Sequence, residues 1–427
     1  MSFKRFNIAG TAVFVYRQYE VTFLQCTDRG FTLNCSCNTK AKDYHIHKGE
    51  VTMSRIIYIG MDVHSQSFSL CAFEPGFDSQ GRYFAEVKVP AEPVNIKKYV
   101  ERLRKSSGDN CRFVTGYEAG CLGFSLYNAL VSMNIECVIL APSTMLCPRG
   151  GKRIKTDRRD ARNIAGCLAY GGYSPVHVPS EQDAAVRDYI RMRDDHADML
   201  RAVKQQVCSL CLRNGFCYTA KKWTGAHLKY LREIRLSQLN RECLNEYLAT
   251  LEQLQEKIKA FDVRIEEMSH TEEYDVKSAR MSCFLGITRN RAMSILSEIG
   301  DFSRFRSPAS FAAYLGLVPG ERSSGADTRR TGITKAGNVH IRKELIEAAQ
   351  SICRGRIGHK GKALAARQQG NPTDAVAYAD KCSERLRRRY YKMINAGKNR
   401  NVVVTAIARE LACFICGMMQ GYAREAA

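Results

Sequence analysis

The first half of the chain alternates between short apolar runs and stretches with helical spacing. Residues 55–63 (RIIYIGMDV) are a β-branched run that predicts a buried strand, and residues 67–75 and 81–90 predict two more. The pattern continues with strands at 110–118 and 135–142 and helices at 94–107, 121–134 and 156–172. Three neighbouring strands followed by alternating helices and strands predict a mixed α/β sheet covered by helices.

The second half of the chain is mainly helical. The segment 180–271 is long and charged with a helical pattern, and residues 244–268 keep apolar side chains at spacings of three and four. This predicts a helical hairpin or coiled-coil arm, or else two helices packed on their own domain. The later pattern predicts short helices after 281, a polar, basic, glycine-rich loop at 321–338, a helix at 339–352, a loop at 354–372 and two closing helices.

Composition narrows the class of protein. The formal net charge is +22, which indicates a polyanionic partner, and nucleic acid fits better than an acidic membrane surface. No apolar run reaches membrane-spanning length, so we expect no membrane contact and a cytoplasmic location. The 18 cysteines predict mostly buried, reduced thiols, because Cys208 and Cys211 lack the second ligand pair of a zinc site.

Four acidic residues stand at positions that favour metal chemistry. Asp62 ends the first strand of the sheet, Glu118 ends a later strand, and Asp157 and Asp160 lie one helical turn apart. Gathered in one pocket, these acids would repel one another unless a hard cation such as Mg²⁺ or Mn²⁺ were present. Each acid also has an ordinary interpretation: Asp157 could cap its helix, Asp160 could pair with an arginine, and Glu118 could be a loop acid.

Basic side chains surround the acids and fill the polar loop. On a helix, Arg158 and Arg159 point away from the face of Asp157 and Asp160, so we expect them to bind a nucleic-acid backbone beside the site. In the loop, Ser323 and Ser324 precede Gly325, and either a serine nucleophile or a plain phosphate-binding loop fits this pattern. The predicted nucleic-acid contacts are Lys155, Arg158, Arg159, Arg322, Arg329, Arg330, Lys335 and Arg342.

Several of these motifs together resemble one family. YIGMDVHSQSFSLCAF, TGYEAG, KTDRRDARNIA and the serine loop followed by ITKAGN occur in the order found in the one-ten family of insertion-sequence transposases. The resemblance implies a RuvC-type RNase H-like domain with a DEDD tetrad at 54–178, a helical coiled-coil segment at 179–275 and a C-terminal transposase domain at 276–427. Residues 1–53 have no counterpart in the pattern, and we expect an extension that is poorly ordered or not translated in the native protein.

The resemblance also implies a mechanism. Asp62, Glu118, Asp157 and Asp160 would bind Mg²⁺, and Ser324 would be the nucleophile, although Ser323 is an open alternative. The family is understood to cut and rejoin DNA through a phosphoserine link, guided by a structured RNA, in a dimer or tetramer. A bacterial, nucleoid-associated protein is implied.

Two other functions remain open from the sequence. A metal-dependent nuclease or junction resolvase would use the same acids with water as its nucleophile and leave no covalent adduct. An inactive relic would keep only nucleic-acid binding through its charge. The sequence also departs from the family pattern at FLGITRN, where a turn loses a glycine, but this change touches none of the five proposed catalytic residues.

Overall fold

The computed structural model describes most of the chain. It covers residues 6–8, 11–13, 23–27, 30–34, 55–76, 81–108, 111–120, 122–146, 156–324 and 327–422, with backbone alone before 55 and within 322–330. The chain divides into two compact units, residues 1–178 and 179–427. The four-segment division predicted from the sequence stays a prediction.

The predicted N-terminal extension lies mostly outside the described residues. Its described parts are the strands β1 (Phe6–Ile8), β2 (Thr11–Val13), β3 (Phe23–Thr27) and β4 (Gly30–Asn34). β1 pairs with β2 and β3 with β4, each antiparallel.

A five-stranded mixed sheet organises the described remainder of the first unit. Its strands are β5 (Arg55–Val63), β6 (Ser67–Glu74), β7 (Arg82–Pro90), β8 (Cys111–Glu118) and β9 (Cys137–Leu140). The order is β7-β6-β5-β8-β9, with antiparallel pairs up to β5 and parallel pairs from β5 onwards. The predicted strands and the mixed α/β class are confirmed.

Helices cover both faces of this sheet. α1 (Pro93–Ser107) and α2 (Ser125–Ser132) pack on one face against the side chains of Ile57, Ile59 and Met61. α3 (Asp157–Tyr170) packs on the opposite face. Its predicted start and end are confirmed, because the Thr156 side chain caps the first turn and Gly171 ends the helix at φ +65°.

Gly60, in the middle of β5, allows α3 to lie directly on the sheet. A Cβ atom at this position would lie 2.1 Å from the carbonyl oxygen of Ala161 and 2.3 Å from the amide nitrogen of Ala165. Both atoms belong to the α3 backbone, so neither can rotate away as a side chain would. The missing side chain therefore sets the distance between helix and strand.

A β-bulge in β7 changes which residues face α3. The register between β6 and β7 shifts between Leu70 and Ala72, and the extra residue on β7 is accommodated at Ala85, whose φ is +52°. The Tyr99 hydroxyl donates a 2.8 Å hydrogen bond to the Ala85 carbonyl and holds the bulge. Because one extra residue inverts the alternation of side chains, Glu86 and Lys88 face α3 instead of the α1 side.

The second unit is mainly helical, as predicted. Its helices are α4 (Glu181–Arg213), α5 (Gly225–Glu233), α6 (Gln238–Ser269), α7 (Asp275–Ser282), α8 (Arg289–Ile299), α9 (Pro308–Tyr314), α10 (Val339–Cys353), α11 (Lys362–Gln368), α12 (Thr373–Asn395) and α13 (Arg400–Met419). α4 and α6 form a long hairpin whose base joins the main core. Within the described residues, α13 is the one helix long and apolar enough to cross a membrane, and it is a core helix here.

Two predictions in this unit are wrong. The basic segment 321–338 was predicted as a loop, but β10 (Pro319–Ser324) and β11 (Asp327–Ile333) form an antiparallel hairpin there. The segment 354–372, also predicted as loop, contains α11. Both errors have the same cause. These strands and this helix are short and have little apolar periodicity, and their glycines and charged residues are typical of loops.

Replacing Gly60 tests the helix–sheet contact. We expect Gly60→Ala to lower the free energy of unfolding by about 1–3 kcal/mol, because α3 must move to admit the methyl group. Thermal and urea unfolding measure this change. Gly120→Ala is the matched control, since its new Cβ would meet nothing closer than 3.9 Å. Equal stability of the two variants would contradict the proposed role of Gly60.

Candidate metal and nucleic-acid site

One row of side chains crosses the sheet beneath the N-terminus of α3. Asp62 on β5 pairs in register with Ser69 on β6, and Ser69 pairs with Lys88 on β7. On the other side of β5, Met61 pairs with Tyr117, so Asp62 and Glu118 are the next residues of two parallel strands. Neighbouring strands lie about 4.8 Å apart along the row. The four residues of the row share the face of the sheet that carries α3; they are Lys88, Ser69, Asp62 and Glu118.

Three ligand atoms converge around Asp62, within this row. The Nε2 atom of His64 lies 3.3 Å from Oδ2 of Asp62 and 3.9 Å from Oδ1 of Asp157. His64 lies in the tight turn after β5, which the hydrogen bond from its amide to the Ser67 carbonyl closes. One ligand atom from each of Asp62, His64 and Asp157 lies within 4.8 Å of the others.

The electrostatics of the two acids differ. The pKa of Asp62 is raised above its usual value, mainly by burial, with His64 opposing the rise and Asp160 and Asp157 adding to it. The pKa of Asp157 is lowered, mainly by the hydrogen bond from Lys88, whose Nζ atom lies 2.9 Å from Oδ2. The protein therefore holds neighbouring negative charges together with basic partners.

Glu86 binds one of the predicted basic residues, Arg158, together with a second arginine of α3. Its carboxylate, mostly buried, accepts hydrogen bonds from the guanidinium groups of Arg158 and Arg162. Arg158 thus points away from Asp157 and Asp160, as its helical position indicates, but in this structure it binds Glu86. Its predicted contact with nucleic acid stays a prediction, as does that of Arg159.

The predicted tetrad is gathered in part. Asp62 and Asp157 are brought together, and Asp160 is near enough to raise the pKa of Asp62. Glu118 is exposed and occupies the neighbouring strand end, outside the close group of three ligand atoms. The structure adds His64, Lys88 and Glu86, which the sequence pattern did not single out. The only available signal was the position of His64 two residues after a strand-ending aspartate.

The donor set fits a divalent cation. Carboxylate oxygens suit Mg²⁺ and Mn²⁺, while an imidazole ligand favours Mn²⁺ of the two. Elsewhere in the described part of the chain no comparable cluster of acids, histidines and cysteines occurs.

A cleft opens beside Asp157. Its volume is about 610 Å³, and it lies between β6, β7 and the start of α3. The cleft is lined by Ser69, Leu70, Glu86, Val87, Lys88, Thr156, Asp157 and Arg158. A polymer strand lying in this cleft would therefore contact the candidate metal ligand Asp157 and the ammonium of Lys88 together. Lys155 precedes α3 and lies outside the described residues.

The serine hairpin belongs to the second unit. Ser324 is the last residue of β10 and pairs with Asp327, and Ser323 pairs with Thr328. The side chains of Arg322, Ser323, Ser324, Arg329 and Arg330 lie outside the described residues, so their predicted roles stay predictions.

Two predicted basic residues follow the hairpin within the described region. Lys335 is exposed in a turn at φ +55°. The guanidinium of Arg342 donates hydrogen bonds to the carbonyls of Leu315 (2.9 Å) and Ala336 (3.1 Å) and so holds the turn against α9. This structural role was not predicted, and nucleic-acid contacts of the two residues stay predictions.

Both units match known transposases. A family model for DEDD transposases of the IS110 type matches residues 59–216, and the model of the transposase IS116/IS110/IS902 family matches residues 279–364. The protein y4qE of Sinorhizobium fredii, itself named as a transposase, is 36% identical over 87% of this chain and 90% of its own. The transposase for insertion sequence element IS1533 of Leptospira borgpetersenii is 30% identical over 79% of this chain and 96% of its own.

The pairing of Lys88 with Asp157 predicts competition with a metal ion. We expect Lys88→Met to tighten Mn²⁺ binding about two- to fivefold, because the exposed ammonium competes weakly with a cation for the Asp157 carboxylate. Electron paramagnetic resonance of free Mn²⁺ measures the affinity. Lys98→Met, on α1 across the sheet, is the control. Weaker Mn²⁺ binding in Lys88→Met would show that the ammonium supports the site instead.

Proposed function

This chain belongs to the IS116/IS110/IS902 family of transposases and is a DNA transposase, and we propose that it cuts and rejoins DNA through a covalent phosphoserine link. We propose further that the first unit is RNase H-like. The five-stranded mixed sheet supports this, with acids at the ends of β5 and β8 and two more on α3, which packs on the face of the sheet that these acids share.

One observation carries the proposal. The ligand atoms of Asp62, His64 and Asp157 converge within 4.8 Å inside the segment that matches DEDD transposases. An ordinary ion-paired helix face would leave Asp157 beside basic groups of its own helix. Here the helix is docked so that Asp157 meets the end of a buried strand, an arrangement whose negative charge suits a cation.

The proposed cofactor is Mg²⁺ or Mn²⁺, held by Asp62 and Asp157 with Asp160, Glu118 and His64 near them. Such a cation neutralises the charge that develops on a reacting phosphodiester. The protein's own groups would then divide the work of binding. Lys88 at the cleft would contact a phosphate once Asp157 has another partner, and Glu86 fixes Arg158 and Arg162 so that the start of α3 stays in place.

Ser324 is the proposed nucleophile. Its hydroxyl oxygen would form a bond to phosphorus while the bond from phosphorus to a deoxyribose oxygen breaks, and that oxygen takes up a proton. A hydroxyl of the second DNA would later attack the same phosphorus and release the serine. The phosphoester thus conserves the energy of the broken DNA bond. The position of Ser324 as the last residue of β10, paired with Asp327 of β11, supports this proposal.

The proposed partners are element-end and target DNA and a structured guide RNA. The formal charge of +22 supports binding to large polyanions. A dimer or tetramer is proposed, in which the acids of one subunit meet the serine of another. We place the activity in the bacterial cytoplasm, at the nucleoid.

A nuclease with a water nucleophile is the competing function. It would use the same acids without Ser324 and leave no covalent protein–DNA adduct, whereas a decayed relic would bind without cutting. The acids and the serine are all present in the sequence, which favours an active recombinase over a relic.

Substituting the serine tests the covalent step. We expect Ser324→Ala to abolish covalent protein–DNA adducts, because no hydroxyl remains to attack phosphorus. Denaturing gel electrophoresis of labelled DNA after incubation with guide RNA detects the adduct. Ser323→Ala is the control and should keep it. Adducts that survive in Ser324→Ala but vanish in Ser323→Ala would reassign the nucleophile.

Substituting the strand-end acid tests the metal chemistry. We expect Asp62→Asn to reduce strand cleavage at least about 100-fold, since an amide binds Mg²⁺ poorly and leaves the developing charge uncompensated. Electrophoretic mobility shift should show DNA binding within about twofold of the parent protein, because phosphate contacts dominate affinity. Unchanged cleavage would remove the metal site from the mechanism.

A further inference from the structure

The outer end of the α4–α6 hairpin concentrates positive charge. We define the hairpin tip as residues 201–241, which comprise the end of α4, α5 and the beginning of α6. It contains nine lysines and arginines and a single acid, Glu233. Such a ratio is far from the balance of a solvated helix surface and indicates a polyanion.

The hairpin tip has its own small apolar core. Val207, Leu210, Leu231 and Ile234 belong to a cluster separate from the main core of the second unit. Of the basic residues, Arg241 binds the carbonyls of Leu231 and Ile234 and so has a structural role. Lys221 and Lys222 are exposed and, within the described part of the chain, form no ion pair. Their charge therefore remains for a partner.

Trp223, the only tryptophan of the chain, lies between these lysines and α4. Its backbone has φ +63°, a conformation that costs a bulky residue energy and is held here by a 3.0 Å hydrogen bond from its amide to Nδ1 of His227. The indole is half-buried, and the Nζ atom of Lys204 lies 5.4 Å from the ring centroid. The tip thus holds an aromatic ring with a lysine ammonium over it.

A cleft of about 490 Å³ adjoins this ring. It is lined by Arg201, Lys204, Gln205, Cys208, Ser209 and Trp223. The combination of a π-face with basic and amide side chains around an open cleft is the chemistry that binds unpaired nucleotides. A double helix presents its bases already stacked on one another, and an acidic peptide would gain nothing from the indole face.

We propose that the hairpin tip is a binding site for single-stranded nucleic acid, in which a base stacks on Trp223 and the flanking phosphates bind Lys204, Lys221 and Lys222. The base would replace the Lys204 ammonium over the ring, and that ammonium would turn to a phosphate. The site goes beyond the proposed strand cleavage, because binding here needs neither the acids of the first unit nor Ser324.

The single tryptophan makes the site directly observable. With the full chain, tryptophan fluorescence is titrated with short oligodeoxythymidylate, with oligouridylate and with a DNA duplex of equal length. We expect saturable quenching by the single strands and little by the duplex. A larger effect of oligouridylate would identify RNA as the ligand, and of oligodeoxythymidylate, DNA. Binding seen by anisotropy of a labelled oligonucleotide without any change in tryptophan fluorescence would overturn the proposal.

Charge variants provide the matched comparison. Lys221→Ala with Lys222→Ala should weaken single-strand binding about tenfold and reduce the slope of log affinity against log salt by about 1.4, since each lost phosphate contact removes about 0.7. Lys257→Ala with Lys259→Ala removes the same charge from an exposed part of α6 outside the tip and should change neither quenching nor slope. Equal losses of single-strand affinity in the two double variants would overturn the proposed site, because binding would then depend only on the overall charge of the chain.

A stacking variant separates the ring from the charge. Trp223→Phe keeps an aromatic face and should bind a labelled single strand within about threefold of the parent, while Trp223→Leu should bind about tenfold more weakly. Circular dichroism confirms that both variants remain helical. Equal affinity of the phenylalanine and leucine variants would rule out stacking. Strand cleavage is measured separately, so that failure of this site and failure of the proposed catalysis are distinguishable.

Discussion

The closeness of α3 to β5 is the contact on which the candidate site depends. Helices ordinarily rest on a sheet through their side chains, but at Gly60 the backbone of α3 meets the backbone of the strand. The first turn of α3 is thereby carried down to the strand end, where Asp157 and Asp160 come within electrostatic reach of Asp62. If side chains separated α3 from β5, Asp157 and Asp160 would lie farther from Asp62. They would then be ordinary surface charges.

Acids gathered in this way need compensation, and the fold supplies it from a different strand. Lys88 on β7 compensates Asp157, and Glu86 on the same strand binds Arg158 and Arg162 in the first two turns of α3. The same pairs that neutralise charge also fix the helix start. Electrostatics and positioning are therefore provided by one set of contacts, a common arrangement where like charges must be held close.

The sequence was sufficient to predict the periodic elements and the positions of the four acids on them. Strands such as β5 and helices such as α3 carry strong apolar patterns and ordinary caps, and the positions of Asp62 and Glu118 at strand ends followed from them. The roles of Glu86 and Lys88 could not be predicted, because the face of the sheet on which their side chains lie depends on the β-bulge at Ala85. A regular alternation of side chains along the strand predicts the other face. The β10–β11 hairpin was missed because polar, glycine-rich strands have no apolar face to reveal them.

The bulge at Ala85 has a consequence for how this strand can vary. Residues 86–89 present Glu86 and Lys88 to α3, and Val87 and Val89 to the core beneath, only because one additional residue precedes them. Loss of that residue would exchange the faces of the two pairs. Glu86 and Lys88 would then be buried in the apolar core, and Val87 and Val89 would face Asp157 on α3. The extra residue in the bulge of β7 is thus required as strictly as the identities of Glu86 and Lys88, because it decides which face of the sheet they occupy. A single substitution in residues 86–89 changes one side chain. A single insertion or deletion before them would instead disrupt both the packing of the core and the geometry of the site.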